Sequence, residues 1–161
     1  MNKNQLVSCL VQKKGEDGTE AQAAAVSASI GSVSGADILQ AIVKSADVFG
    51  DVGIENAKNA AEIAAAKKAE QKELGASVRK DAVIAGGIAL RGMAKNGKFV
   101  VKTGEDKSAF AINGVVASAV NKVLSTLTVA IRNAVDLGLK EINKVLGEIK
   151  QGEGSENKVS E

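Results

Sequence analysis

From Asp106 to Ile149 the large apolar residues return every three or four positions: Val116, Val120, Val123, Leu127, Ile131, Val135, Ile142, Leu146 and Ile149. That step is the period of an α-helix read along one face. At 1.5 Å per residue the run would be roughly 60 Å long. An amphipathic helix of that length has to cover its stripe, so it predicts a spine on which shorter helices pack. Gly114 and Gly138 are the two positions where the spine is expected to bend or break.

Composition narrows what those shorter elements can be. The chain has no proline, no tryptophan, no tyrosine and only three phenylalanines. Alanine is the best helix former and proline the worst, so an Ala-rich, Pro-free chain reads as all-α. The expected architecture is a helical bundle of several short Ala-rich helices packed on the long C-terminal helix. Residues 1–18, where Lys13, Lys14, Glu16 and Asp17 mix with glycines, read as a loosely ordered N-terminus. Residues 19–150 form the all-α domain, and 151–161 a polar tail.

Within that domain, Glu20 to Ser29 has high helix propensity but few large side chains, and needs tertiary support. Ser34 opens the next helix as an N-cap with Asp37 three residues on, and Ile38, Leu39, Ile42 and Val43 supply its buried face up to about Val48. After a turn at Gly50 to Gly53, Asn56 to Leu74 reads as an Ala-rich helix. Its second half carries Lys68, Glu70, Lys72 and Glu73 as a solvated face. Phe99-Val100-Val101 is too short for a sheet with no partner strand, and reads as an extended connector anchored by Phe99.

The stretch from Arg79 to Lys102 joins these parts. Val83, Gly87, Leu90 and Ala94 fall on one helical stripe, and Ile84 and Ile88 on a second one shared with Arg91 and Lys95. A helix so apolar around its circumference is expected between neighbours, with Gly86-Gly87 admitting a close backbone. Ile88 and Leu90 are expected against the long C-terminal helix, and Arg91 and Lys95 in solvent. Asn96-Gly97 reads as the helix stop, glycine taking the left-handed conformation there.

Chemistry is sparse along the whole chain. There is no histidine, and Cys9, the single cysteine, has no base to activate it. Gly92 to Lys98 matches the GxxxxGK part of a phosphate-binding loop, but Phe99 stands where a magnesium-holding hydroxyl belongs and the run follows a helix instead of a strand. Glu105-Asp106 reads as acid at a helix start. A net charge of +2 leaves the basic set Arg79, Lys80, Arg91, Lys95, Lys98 and Lys102 without the excess that nucleic-acid binding asks for. No catalytic residue, cofactor or metal site is expected, and no nucleic-acid partner. The longest uncharged run near the end, Ser108 to Asn121, contains Asn113 and Gly114 and reads as a helix of a water-soluble fold.

Leu6-Val7-Ser8-Cys9 has the form of a bacterial lipoprotein cleavage box, which makes Cys9 the one lipidation candidate. Asn4 and Gln5 leave almost no apolar core before it, so a product expressed from Met1 alone is expected to stay unlipidated in the cytoplasm.

The literal strings carry a resemblance. RKDAVIAGG, IALRGMAKNGKFVVK and SAVNKVLSTLTVAIRNAVDLGLKEIN, with SVSGADILQAIVKSAD upstream, resemble the C-terminal half of the variable large proteins of relapsing-fever spirochaetes. They are similar also to the VlsE surface antigen of the Lyme group. The match covers roughly Ala23 to Lys150. It implies a non-enzymatic, all-α variable outer-surface lipoprotein that contributes to antigenic variation and evasion of host antibody. Host antibodies are then the partners, with self-association a further expectation. Membrane contact comes only through a lipid anchor at the cell outer membrane. In such a protein Arg79 to Lys102 corresponds to the family's invariable segment, with Asn96 where an acidic residue is common, and Asn56 to Glu73 to a variable surface segment. Family members are longer, carrying a signal peptide and lipidated cysteine in an N-terminal half, so a truncated or silent copy is one form the resemblance allows. A helical adhesion or oligomerisation module binding a host or self partner is the alternative.

Overall fold

A computed structural model describes residues 18–45, 53–67 and 74–156, from 150 onward by backbone alone. The chain divides into two units, one ending at Ser125 and one beginning at Thr126. Five α-helices are described: α1 Glu20–Gly31, α2 Gly35–Val43, α3 Ala60–Ala65, α4 Asp81–Met93 and α5 Asp106–Glu156. Short 3-10 turns lie at Ile54–Asn56 and Ala76–Val78, and no strand element occurs among the described residues.

Local chemistry starts the first three helices. Thr19 caps α1, its Oγ1 accepting from Gln22 N at 3.3 Å while Gln22 Oε1 accepts from Thr19 N at 2.8 Å. Ser34 and Asp37 make the same reciprocal box on α2, as their spacing predicts. Asn59 caps α3 through Glu62 N at 2.9 Å. No side chain caps α4; instead its first residue, Asp81, accepts a 2.5 Å hydrogen bond from Ser29 Oγ on α1.

Helix α4 lies in the middle of the first unit. Ile84, Ala85, Gly86, Gly87, Ile88, Ala89 and Arg91 are all buried, and α4 packs on α1, α2 and above all α3. The glycine pair permits this. A Cβ at Gly87 would sit 2.6 Å from Ile63 Cβ and 3.2 Å from Ala60 O, so α3 rests directly on the α4 backbone. Around it gather Val26 and Ile30 of α1, Ile38 of α2, Ile54, Ile63 of α3, Leu74 and Val78, all essentially without water contact. Each such side chain stabilises the fold by about 1.5–3 kcal/mol relative to exposure.

The beginning of α5 closes this core. Ser108, Ile112, Val115, Ala119 and Val123 are buried at steps of three and four, one stripe facing inward. Gly92 admits Val116 of α5, whose Cγ1 would be 2.6 Å from a Cβ there. From Leu127 to Ile149 every residue of α5 is exposed. The spine expected over its whole length therefore serves the core only as far as Val123, because no described helix covers the remaining stripe. Neither Gly114 nor Gly138 breaks it, and the helix continues past Lys150 to Glu156.

Other boundaries moved as well. Helix α2 ends at Val43, and the expected extension toward Val48 lies outside the described residues from 46 on. The Asn56–Leu74 helix shrinks to Ala60–Ala65, since Ala66 turns to φ −56°, ψ 129° and its carbonyl is taken by Arg91. The charged residues Lys68, Glu70, Lys72 and Glu73 lie outside the described residues, as does Cys9. Gly18, expected to be frayed, is buried: its carbonyl accepts from Lys102 N at 2.9 Å and from Ser108 Oγ.

Candidate functional site

The motif-bearing residues converge where α4 ends. Ala94 closes the helix with its N–H on the carbonyls of Leu90 and Arg91, and Gly97 N then bonds Ala94 O at 3.0 Å. Gly97 does not adopt the left-handed conformation expected of a stop, the one positive φ among the described glycines being Gly104 at 83°. Its requirement is spatial. A Cβ there would run into the carbonyl of Arg91, with Arg91 C only 2.9 Å away.

Behind this turn lies a cavity of about 590 Å³ lined by Lys67, Arg91, Lys95, Asn96, Lys98 and Phe99 among others. Ala94 to Lys98 of the Gly92–Lys98 string line it, and the geometry there opposes a phosphate loop. The string wraps the C-terminal end of α4, where carbonyls and the negative end of the dipole gather, whereas a phosphate loop offers the amides of a helix N-terminus.

Nor do the six basic residues form one surface. Arg91, expected in solvent, is 9% exposed and donates through Nη2 to Ala66 O. Burial pushes its guanidinium below the ordinary arginine value. The physical reason is the early end of α3: the unpaired carbonyl of Ala66 sits inside the fold, and the arginine on the adjoining face of α4 supplies its donor. Arg79 Nε donates to Leu74 O at 3.0 Å, and Lys102 pairs with Glu105 at 2.6 Å. Lys95 is exposed as expected. Ile88 is buried and shares a small apolar gap with Phe99, Ile112, Val115 and Val116, whereas Leu90 is only half-buried. Among the described residues, no group of three or more acidic, cysteine or histidine side chains could hold a metal.

Two organising side chains carry no local signal. Lys122 interrupts the apolar pattern of α5 because its ammonium donates to Ile30 O at 2.7 Å, Gly31 O at 3.3 Å and Val33 O at 2.7 Å. A cation thus satisfies the orphan carbonyls at the C-terminal end of α1, where the helix dipole favours it. Ser108, fully buried, ties the start of α5 to Gly18, 90 residues away in sequence. Helix α5 is also long and apolar enough, by length and composition, to cross a membrane, contrary to the reading of its longest uncharged run. Its apolar residues are spread among Asn121, Lys122 and the glycines, so run length understates its hydropathy.

What these features define is a helical scaffold organised around one buried central helix, with exposed loops and an exposed helix face and no catalytic constellation among the described residues. The chain belongs to the Borrelia lipoprotein family, whose model matches residues 1–146. Variable large protein 4 of Borrelia hermsii is 53% identical over 163 aligned positions, covering 96% of this chain and 45% of that protein. Variable large protein 17 of the same organism is 57% identical over 71% of this chain and 33% of its own length. The crystal structure of the Lyme disease variable surface antigen VlsE of Borrelia burgdorferi superposes with a TM-score of 0.81 at 37% identity, covering 92% of this chain and 56% of that one. The all-α fold and the resemblance drawn from the Arg79–Lys102 strings are thereby shown. The match covers from a third to just over half of the length of these relatives.

Proposed function

We propose that this chain acts as a variable surface antigen, held at the spirochaete's outer membrane by a lipid anchor, non-enzymatic, and met there by host antibodies. The observation that carries the reading is its 53% identity to Variable large protein 4 along nearly its whole length. Burial supports a division of labour within it. The segment from Ile84 to Ala89 is closed to any antibody that meets the folded chain, whereas the outward residues of α1 and α2 are open. Sequence change at open positions alters what antibodies see at little cost in stability, while change in α4 breaks packing.

The test uses spirochaetes expressing the full-length gene product. Antibody against the folded chain should label intact cells, and external protease should remove the label. Labelling only after permeabilisation would refute surface display. Palmitate incorporation that disappears on replacing the amino-terminal lipidation cysteine, Cys9→Ser being the variant within this chain, would establish the anchor. Serum raised against this chain that neutralised cells expressing Variable large protein 17 equally well would refute the antigenic-variation role.

A further inference from the structure

Two Asn-Gly pairs occur in the chain, Asn96-Gly97 and Asn113-Gly114, and no other asparagine precedes a glycine. The pairing matters chemically because glycine has no side chain to keep the asparagine amide away from the glycine backbone nitrogen. Attack of that nitrogen on the asparagine Cγ closes a five-membered imide. Both asparagines and both glycines are exposed, so access to water does not separate the pairs. Their backbones do. Gly114 lies inside α5, and its nitrogen is freed only when an interior stretch of helix opens. Asn96-Gly97 lies beyond the end of α4, where the Gly97 N–H makes a single turn bond to Ala94 O at 3.0 Å. Opening a bond at a frayed helix end costs far less than opening a helix interior.

We propose that Asn96 is a site of spontaneous covalent modification, converted in the folded chain to aspartyl and isoaspartyl forms by the backbone of its own neighbour. The Gly97 nitrogen bonds to Asn96 Cγ, the Cγ–Nδ2 bond breaks, and Nδ2 leaves as ammonia with the proton that the Gly97 nitrogen gives up. Water then opens the imide. Hydrolysis at Cγ leaves an aspartate, and hydrolysis at the main-chain carbonyl leaves an isoaspartate whose chain runs through Cβ and Cγ. Either product adds one carboxylate beside Lys95 and Lys98, lowering the formal net charge of +2 by one. The isoaspartyl form also lengthens the main chain by one atom where room is scarce, since a Cβ on Gly97 would already stand 2.9 Å from Arg91 C. Its turn bond to Ala94 is therefore lost.

The experiment incubates the folded chain in mildly alkaline buffer at body temperature and follows it by mass spectrometry after cleavage at glutamates. The peptide from Leu74 to Glu105 carries Asn96 as its single side-chain amide, so ammonia lost from that peptide is assigned. Asn96 should react about tenfold faster than Asn113, or more. Isoaspartyl methyltransferase should label the same peptide, and Asn96→Gln should abolish the label. In concentrated urea the two pairs should react at like rates, because the fold alone distinguishes them. Equal rates in the folded chain, or an Asn96 that reacts only in urea, would overturn the proposal. A rate difference as large in urea as in the fold would trace it to neighbouring residues and overturn the role given to the turn. So would a Gly97 amide that exchanges with solvent no faster in the isoaspartyl form than in Asn96→Asp.

Discussion

Two helical glycines should answer the same substitution with opposite signs. Alanine in place of glycine inside a helix gains about 0.8–1 kcal/mol of intrinsic propensity. At Gly114 nothing lies within 4 Å of the position a Cβ would take, so Gly114→Ala should keep that gain and stabilise the protein by about 0.5–1 kcal/mol. At Gly87 the new methyl would stand 2.6 Å from Ile63 Cβ, a branch point fixed to the α3 backbone, and 3.2 Å from Ala60 O. Neither neighbour is the free end of a side chain, so α3 itself must move. Overpacking of that kind costs about 1–3 kcal/mol, and its upper part applies here. The balance is a net loss of about 1–2 kcal/mol for Gly87→Ala. Urea melts followed by far-ultraviolet circular dichroism, with a common denaturant slope, measure both. A Gly87→Ala protein as stable as the parent would refute the packing of α3 directly on the α4 backbone.

Lys122→Met keeps the stem and removes the three hydrogen bonds to Ile30, Gly31 and Val33; with solvent reaching part of the site, the expected loss is about 1–3 kcal/mol in the same melts. Ile88→Ala should cost about 2–5 kcal/mol and Leu90→Ala clearly less, since Leu90 is only half-buried; equal losses would contradict the orientation assigned to α4. Arg91→Met strands the Ala66 carbonyl and should destabilise by about 1–3 kcal/mol, whereas Lys95→Ala should be close to silent. Hydrogen bonds from the Ser34 hydroxyl and amide hold the Asp37 carboxyl below its usual value, so its contribution is present above the unfolded carboxylate range and lost as pH falls through the folded value. Ser34→Ala should raise that value in an NMR titration, and an unchanged titration would remove the capping box from the account.

What the sequence made legible was what short range decides. The Ser34–Asp37 box needs only residues three apart, and the stripe from Ile112 to Val123 needs only a period. The Gly86-Gly87 pair announced a close approach, although not that α3 makes it. What escaped were pairings closed by the tertiary fold. Lys122 finds carbonyls some ninety positions away, Ser108 finds Gly18, and Arg91 is drawn inward by a carbonyl that exists only because α3 stops early. Gly97 reads in the sequence as a left-handed stop, whereas what the fold requires there is room for the carbonyl of Arg91. A charged residue on an apolar helix gives the same local signal whether it reaches water or a helix end, so only the fold separates Lys95 from Arg91 and Lys122.

The claim that the fold is organised around α4 is tested most directly by native-state hydrogen exchange. Amides from Ile84 to Arg91 should exchange only through global unfolding, with an opening free energy equal to that from urea melts and the same decrease under Gly87→Ala. Amides of α4 that open well below the global free energy, while those of α1 stay protected, would contradict it.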